Sequence, residues 1–140
     1  MTESLAPVTE LTLDACWDLL RRHQFGRLAL TVGNEPEIFP LNYVVQDDTL
    51  VFRTAQGTKL AALTVNDMVA LEIDGFDQRT GWSVVVKGQA HPAEWGADFD
   101  RADHAGLRTW VATRKQVLVR IVPKRVTGRS FLFGPEPDSA

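Results

Sequence analysis

Cysteine is almost absent from this chain, which has only Cys16 among its 140 residues. A single cysteine excludes a disulfide within the chain, and nothing in the composition indicates an oxidising compartment. Long apolar runs are missing too, since none approaches the roughly 20 residues that span a bilayer. The first seven residues lack a basic segment followed by an apolar one, so we expect no secretory signal and a cytoplasmic protein.

An excess of basic residues is also missing. The chain has 15 Lys and Arg residues against 18 Asp and Glu residues, which gives a formal net charge of −3. Binding to a nucleic-acid backbone or a charged membrane surface needs a cationic field, so we expect neither partner. The chain length is that of one globular domain with a real core.

Familiar catalytic and metal-binding motifs are missing as well. The segment Gly57-Thr58-Lys59 lacks the earlier glycine of a nucleotide-binding P-loop, because Phe52 stands in that position. Ser83 lacks the closing glycine of a hydrolase nucleophile motif. The three histidines fall in unrelated segments. We therefore predict no metal site and leave the catalytic residues unassigned.

Hydrophobic periodicity predicts one amphipathic helix followed by short strands. Apolar residues recur at helical spacing over residues 13–20, with Thr12 as the N-cap and Gly26 near the end. A second helical run covers residues 58–63, and residues 93–114 read as a helix-loop segment. The strand period of two appears in seven segments, 27–32, 37–45, 49–54, 68–74, 82–90, 117–122 and 125–133. Gly128 is expected to interrupt the last of them.

These elements predict a mainly β fold with a few short helices. Residues 1–10 read as a loosely held arm, 11–133 as the single domain and 134–140 as a disordered tail. Short strands joined by hairpins favour a closed or partly closed antiparallel barrel, because closure removes vulnerable strand edges.

A group of hydrogen-bond donors for an anion lies between residues 53 and 59. Arg53 could grip two phosphate oxygens with its planar guanidinium group, and Lys59 adds a point charge. Gly57 lets backbone N–H groups approach, and Thr58 would cap a helix whose N-terminus favours negative charge. An ordinary strand-turn-helix junction with solvated charges explains the same residues, so both interpretations stay open here.

A second group of residues could surround a flat ring. Pro40 and Asn42 would share one face of their strand, while Tyr43 lies on the other. Asn42 carries both a donor and an acceptor, which suits the edge of a heterocycle. Trp82, next to Ser83, could stack on a ring or anchor the core.

The order of these motifs resembles the pyridoxamine 5′-phosphate oxidase-like proteins. These are flavin- and deazaflavin-binding split β-barrels, and the likeness is to their short actinobacterial-type members. It runs from about Leu11 to Phe133 and rests on the segments 26–29, 40–43, 52–60, 72–74, 81–88 and 121–129.

The resemblance implies a six-stranded antiparallel Greek-key split barrel that forms a homodimer with flavin sites at the interface. It implies that the cofactor phosphate is held by Arg53, Thr54, Thr58 and Lys59, around Gly57. It also implies that the isoalloxazine ring is lined by Pro40, Asn42 and Tyr43 and approached by Trp82 and Ser83.

The chemistry implied is redox of a small molecule through FMN. A deazaflavin coenzyme and a haem-type ligand are the alternatives, as is a binder without catalysis. Oxidation of vitamin B6 itself is not expected, because the C-terminal segment lacks the basic and histidine pair with which the founding enzyme reads its substrate.

Overall fold

The structure, a computed structural model, describes residues 6–55, 57–93 and 116–135. Within these ranges it contains eight strands and two helices. In chain order they are β1 (Val8–Glu10), α1 (Leu13–Arg22), β2 (Phe25–Val32), β3 (Glu35–Asn42), β4 (Val44–Gln46), β5 (Thr49–Ala55), α2 (Thr58–Val65), β6 (Met68–Phe76), β7 (Thr80–Pro92) and β8 (Gln116–Leu132). The helix-loop segment predicted for 93–114 and the tail predicted for 134–140 lie largely outside the described residues.

The eight described strands form one curled antiparallel sheet. Their order is β3-β2-β6-β7-β8-β5-β4, and β1 pairs separately with β8. The prediction of a mainly β split barrel is confirmed. Strand β1, which attaches residues 8–10 to the sheet, was not predicted, since the sequence predicts a loose arm there. The strand predicted over 37–45 is divided at Tyr43 into β3 and β4.

Strand β8 is continuous over the segment where the sequence predicts two strands. Pro123, which cannot donate to a ladder, lies opposite Gly88 next to a β-bulge, so the strand bends there instead of ending. Gly88 is required at this point, because a Cβ there would overlap the carbonyl oxygen of Val122 on the adjacent strand.

Helix α1 lies on the buried face of the sheet and begins as predicted. Thr12 is its N-cap, and its Oγ1 accepts a hydrogen bond from a backbone N–H of the first turn at 3.2 Å. The helix approaches β8 closely at Gly128, where a Cβ would lie 2.6 Å from the Sγ of Cys16. Gly128 therefore does not interrupt the strand but gives the helix room to pack.

Gly26 does not end the helix, whose C-cap is His23. It lies within β2, where a Cβ would come within 2.8 Å of the backbone oxygen of Glu72 on β6. The glycine is needed for close strand packing, which a sequence pattern of helix stops does not reveal.

Tyr43 is fully buried, at 0% exposure, beneath the end of α1. Its hydroxyl donates a 2.8 Å hydrogen bond to the carbonyl oxygen of Leu20. That carbonyl is among the last four of the helix, which have no partner within the helix itself. Burial raises the pKa of Tyr43 well above its usual range, so the side chain is a neutral donor that joins helix to sheet.

Replacing Tyr43 with phenylalanine should lower the free energy of unfolding by about 1–2 kcal/mol, because a buried carbonyl loses its donor. Urea denaturation measures this change. Thr64→Ala, which removes an exposed hydroxyl from α2, is the matched control and should cost no more than about 0.5 kcal/mol. Equal stability of wild type and Tyr43→Phe would show that this hydrogen bond contributes nothing net.

Candidate functional site

The face of the sheet turned away from the core collects predicted site residues from distant segments. Alternation along each strand separates these residues from buried neighbours such as Leu41 and Val84. Cross-strand pairing places Arg27 beside Pro40 and Asp74 beside Ser83, so the predicted residues on β3 and β7 share this face with β2 and β6 between them. We call this surface the outer face and define it by Arg27, Pro40, Asn42, Asp74 and Ser83. The prediction that Pro40 and Asn42 share a face is confirmed.

Arg53 and Thr54 project to opposite faces of β5. Arg53 is paired with Leu118, which belongs to a small apolar cluster with Val51 on the side away from the main core. Thr54 is paired with Val117, which packs against the main core. Neighbouring residues of a strand cannot present side chains to one point on a face. Arg53 is therefore the better placed of the two for an anion on the outer side.

Helix α2 starts at Thr58, and its N-cap is Gly57 instead of the predicted Thr58. Among the described residues no side chain caps this end, so the backbone N–H groups of the first turn, which includes Lys59, have no side-chain acceptor. A Cβ on Gly57 would meet no described atom within 4 Å. A helix N-terminus is electropositive, and within the described ranges nothing occupies this one, an arrangement that favours a phosphate.

Tyr43 and Trp82 lie on the core side of the sheet. The hydroxyl of Tyr43 is used by α1, which does not fit the expectation that this residue lines a ring. The indole of Trp82 lies over Gly75, where a Cβ would come within 2.7 Å of its Nε1, and its centroid is 4.8 Å from that of His23. Trp82 is partly buried and packs against the main core, while Ser83 faces outward.

A charged network that the sequence analysis missed lies beside Pro40. Arg27 Nη1 contacts Glu72 Oε1 and Asp74 Oδ2, each at 3.2 Å. Desolvation, and then the neighbouring Asp74 carboxylate, raise the pKa of Glu72 to about 7, although Arg27 opposes this shift. The outer face therefore carries a carboxyl group that titrates near neutral pH. Only the cross-strand register between β2 and β6 could have revealed the contact.

This titration predicts a pH dependence of stability. The pKa of Glu72 is higher in the folded chain, about 7, than its reference value of 4.5. The folded state therefore binds the proton more tightly, and stability falls as pH rises between these values. The wild type should therefore lose about 1 kcal/mol of unfolding free energy over this pH range, allowing for solvent screening of a partly exposed group. The Glu72→Gln variant should not show this loss.

Urea denaturation at pH 5 and pH 8 tests this expectation. Glu37→Gln, an exposed change on β3, should keep the wild-type pH profile. Parallel profiles for the wild type and Glu72→Gln would contradict the assignment.

The described residues contain no cluster of three or more His, Cys, Asp or Glu side chains that could hold a metal ion. The thiol of Cys16 is buried, and desolvation raises its pKa, which disfavours the reactive thiolate. In the same part of the chain, neither helix has the length and apolar character needed to cross a membrane.

Comparison with known proteins gives consistent results. A family model described as pyridoxamine 5′-phosphate oxidase matches residues 12–130. The solved structure of the FAD binding protein from Mycobacterium smegmatis is 45% identical over 90% of this chain and all of that one, with a TM-score of 0.77. A conserved protein of unknown function from Corynebacterium diphtheriae is 36% identical over 90% of this chain and 99% of that one, with the same TM-score. The uncharacterised Mycobacterium tuberculosis protein Rv3129 is 44% identical over 95 residues, 68% of this chain and 86% of that protein.

Proposed function

The chain belongs to the pyridoxamine 5′-phosphate oxidase family, and on that premise we propose that it binds a flavin on its outer face for the redox of a small molecule. The observation that carries this proposal is that Pro40 and Asn42 on β3 and Ser83 on β7 belong to one face of the sheet, with β2 and β6 between them. The 45% identical M. smegmatis relative is named for binding FAD, which supports the flavin class.

The residues present fit the ring of such a cofactor. Pro40 is exposed on the edge strand β3 and offers a flat apolar surface with no N–H of its own. Asn42, which is half-buried on the same strand, can donate to and accept from a heterocycle edge. Ser83 adds a hydroxyl from β7. These three side chains would orient the ring against the sheet.

The phosphate would be held where β5 passes into α2. Arg53 supplies a guanidinium group that suits two phosphate oxygens, and the first turn of α2 supplies backbone N–H groups. Thr58 and Lys59 lie in that turn, and no atom of the described residues would lie within 4 Å of a Cβ on Gly57. Opposite faces of β5 make Thr54 a weaker candidate for the same phosphate.

A bound flavin supplies hydride or electron transfer through its ring. The chain then needs to bind, orient and shield that ring, and it requires no nucleophile or acid–base pair of its own. A chain with this role needs no catalytic motif of its own, and the sequence analysis assigned none. FMN remains the expected cofactor, with FAD and a deazaflavin as alternatives within the same chemistry.

We also propose that a second copy of the chain covers the outer face and completes two cofactor sites in a cytoplasmic homodimer. Ile38 is 68% exposed and Phe25 is 44% exposed on the neighbouring strands β3 and β2. Both residues belong to the outer face, since Phe25 pairs with Asn42 and Ile38 is two residues from Pro40 on the same strand, and exposed apolar side chains on one face are typical of association surfaces. Sedimentation equilibrium tests this point, and a monomer at all concentrations would contradict it.

The absorbance spectrum of the purified protein, followed by titration with each ligand, tests the proposal. A flavin gives a band near about 450 nm, a deazaflavin near about 420 nm and a haem a Soret band. We expect flavin binding and turnover with a reductant. Binding without turnover would identify a cofactor carrier, and a colourless protein that binds none of these ligands would contradict the proposal.

A further inference from the structure

A cleft lies where β1, β7 and β8 meet, next to Ser83 on β7. Its volume is about 530 Å³, within the range of roughly 300–1,000 Å³ that is usual for small-ligand sites. Three cationic side chains line it, and its acidic lining residue is Glu10. We call this site the basic cleft and define it by Glu10, Lys87, Arg125, Thr127 and Arg129.

The positive charges of the basic cleft are balanced only in part within the described part of the chain, by Glu10, the cross-strand partner of Arg129. Lys87, Arg125 and Arg129 form no salt bridge with any described carboxylate. Lys87 and Arg125 are direct cross-strand partners, and like charges in such a position destabilise a sheet. Three cations and one carboxylate give the cleft a formal charge of +2, although the chain as a whole carries −3. An anionic ligand would remove this repulsion.

The β-bulge in β8 places Arg125 opposite Lys87 in the cleft. Lys87 pairs with Arg125 and Gly88 pairs with Pro123, so Lys124 is the extra residue between them. A bulge of this kind changes the direction of the side chains that follow it. Arg125 therefore enters the cleft, whereas its exposed neighbour Lys124 does not line it.

We propose that the basic cleft binds a diphosphate group. Arg125 and Arg129 are four residues apart, roughly 13 Å along the strand, so together they suit an anion longer than a single phosphate. Thr127 lines the cleft between them and adds a hydroxyl donor. With only Leu11 and Val126 as apolar lining residues, the cleft offers no platform for a ring, and the group it holds is the charged part of a ligand.

Two ligands can supply that diphosphate. One is a dinucleotide flavin whose ring lies at Ser83, the direct cross-strand partner of Arg129. Its diphosphate would take the basic cleft in place of the phosphate position between β5 and α2, so this version rests on the proposed flavin binding and not on that phosphate position. The other is a separate nucleoside diphosphate, which does not depend on flavin binding.

Calorimetric titration of the full chain with inorganic diphosphate tests the site. Arg125→Gln should weaken binding at least about tenfold, because it removes a charge-assisted contact. Lys124→Gln is the matched control, since it removes the same charge from the adjacent position outside the cleft, and it should change affinity less than about twofold. Equal weakening by both variants, or no binding of diphosphate at millimolar concentration, would overturn the proposal.

Nucleotide titrations identify the source of the group. If Arg125→Gln weakens the binding of FAD but not that of FMN, the diphosphate of the dinucleotide occupies the cleft. If ADP binds to the protein in the presence of saturating FMN, the ligand of the cleft is a separate nucleotide. Either result supports the site. Diphosphate binding without any flavin binding would contradict the proposed function alone, whereas FMN binding without diphosphate binding would contradict the basic cleft alone.

Discussion

Replacing Arg53 with glutamine should weaken the binding of FMN by about 10- to 100-fold, the scale of one or two charge-assisted hydrogen bonds. The physical reason is that a neutral amide cannot reproduce the planar, bidentate contact of a guanidinium group with a phosphate. Riboflavin, which lacks the phosphate, should bind the wild type and the variant equally. Fluorescence quenching of each flavin during titration measures the four dissociation constants.

Two comparisons make this result specific. Arg79→Gln removes an exposed cation from the loop before β7 and should leave FMN affinity unchanged. Arg53 is half-buried beside Leu118, so the melting temperature of Arg53→Gln must be measured as well. A folded variant that loses FMN and riboflavin to the same extent would place the phosphate elsewhere.

Replacing Gly88 with alanine should destabilise the protein by about 3 kcal/mol, the upper part of the range for overpacking. The new Cβ would overlap the carbonyl oxygen of Val122. A backbone atom within a sheet cannot move away without disturbing the ladder between β7 and β8. Chemical denaturation measures the loss.

Gly134→Ala is the control for the glycine substitution. A Cβ at that position would meet no described atom within 4 Å, so the change should stay within about 0.5 kcal/mol. If both variants unfold at the same denaturant concentration, the close approach at Gly88 does not constrain the strand.

Local pattern was enough to predict most of the fold. Helix α1 has an N-cap at Thr12 and apolar residues at helical spacing. The strands have apolar residues at every second position and turn residues at their ends. The glycines were harder, because Gly26 and Gly128 were interpreted as breaks. Both serve close contacts with residues far away in the chain, and no local pattern shows such a contact. The three-residue strand β1 is too short for a periodic signal.

The site could be predicted only in part for the same reason. The shared face of Pro40 and Asn42 follows from alternation along one strand. The same alternation places Arg53 and Thr54 on opposite faces of β5. The sequence analysis assigned both to one phosphate because they are neighbours in the chain. The contacts of Arg27 with two carboxylates and the whole basic cleft depend on register between strands. Packing sets the register between β2 and β6, and the bulge sets the register between β7 and β8. Both are visible only in the folded chain.

The central claim is that a flavin binds on the outer face, with its phosphate between β5 and α2. The most direct measurement is a ¹H–¹⁵N correlation spectrum of labelled protein during titration with FMN. We predict that the amides of Asn42, Ser83, Arg53 and the first turn of α2 shift together with one dissociation constant. Shifts confined to residues far from the outer face, or no shifts at saturating FMN, would contradict the account.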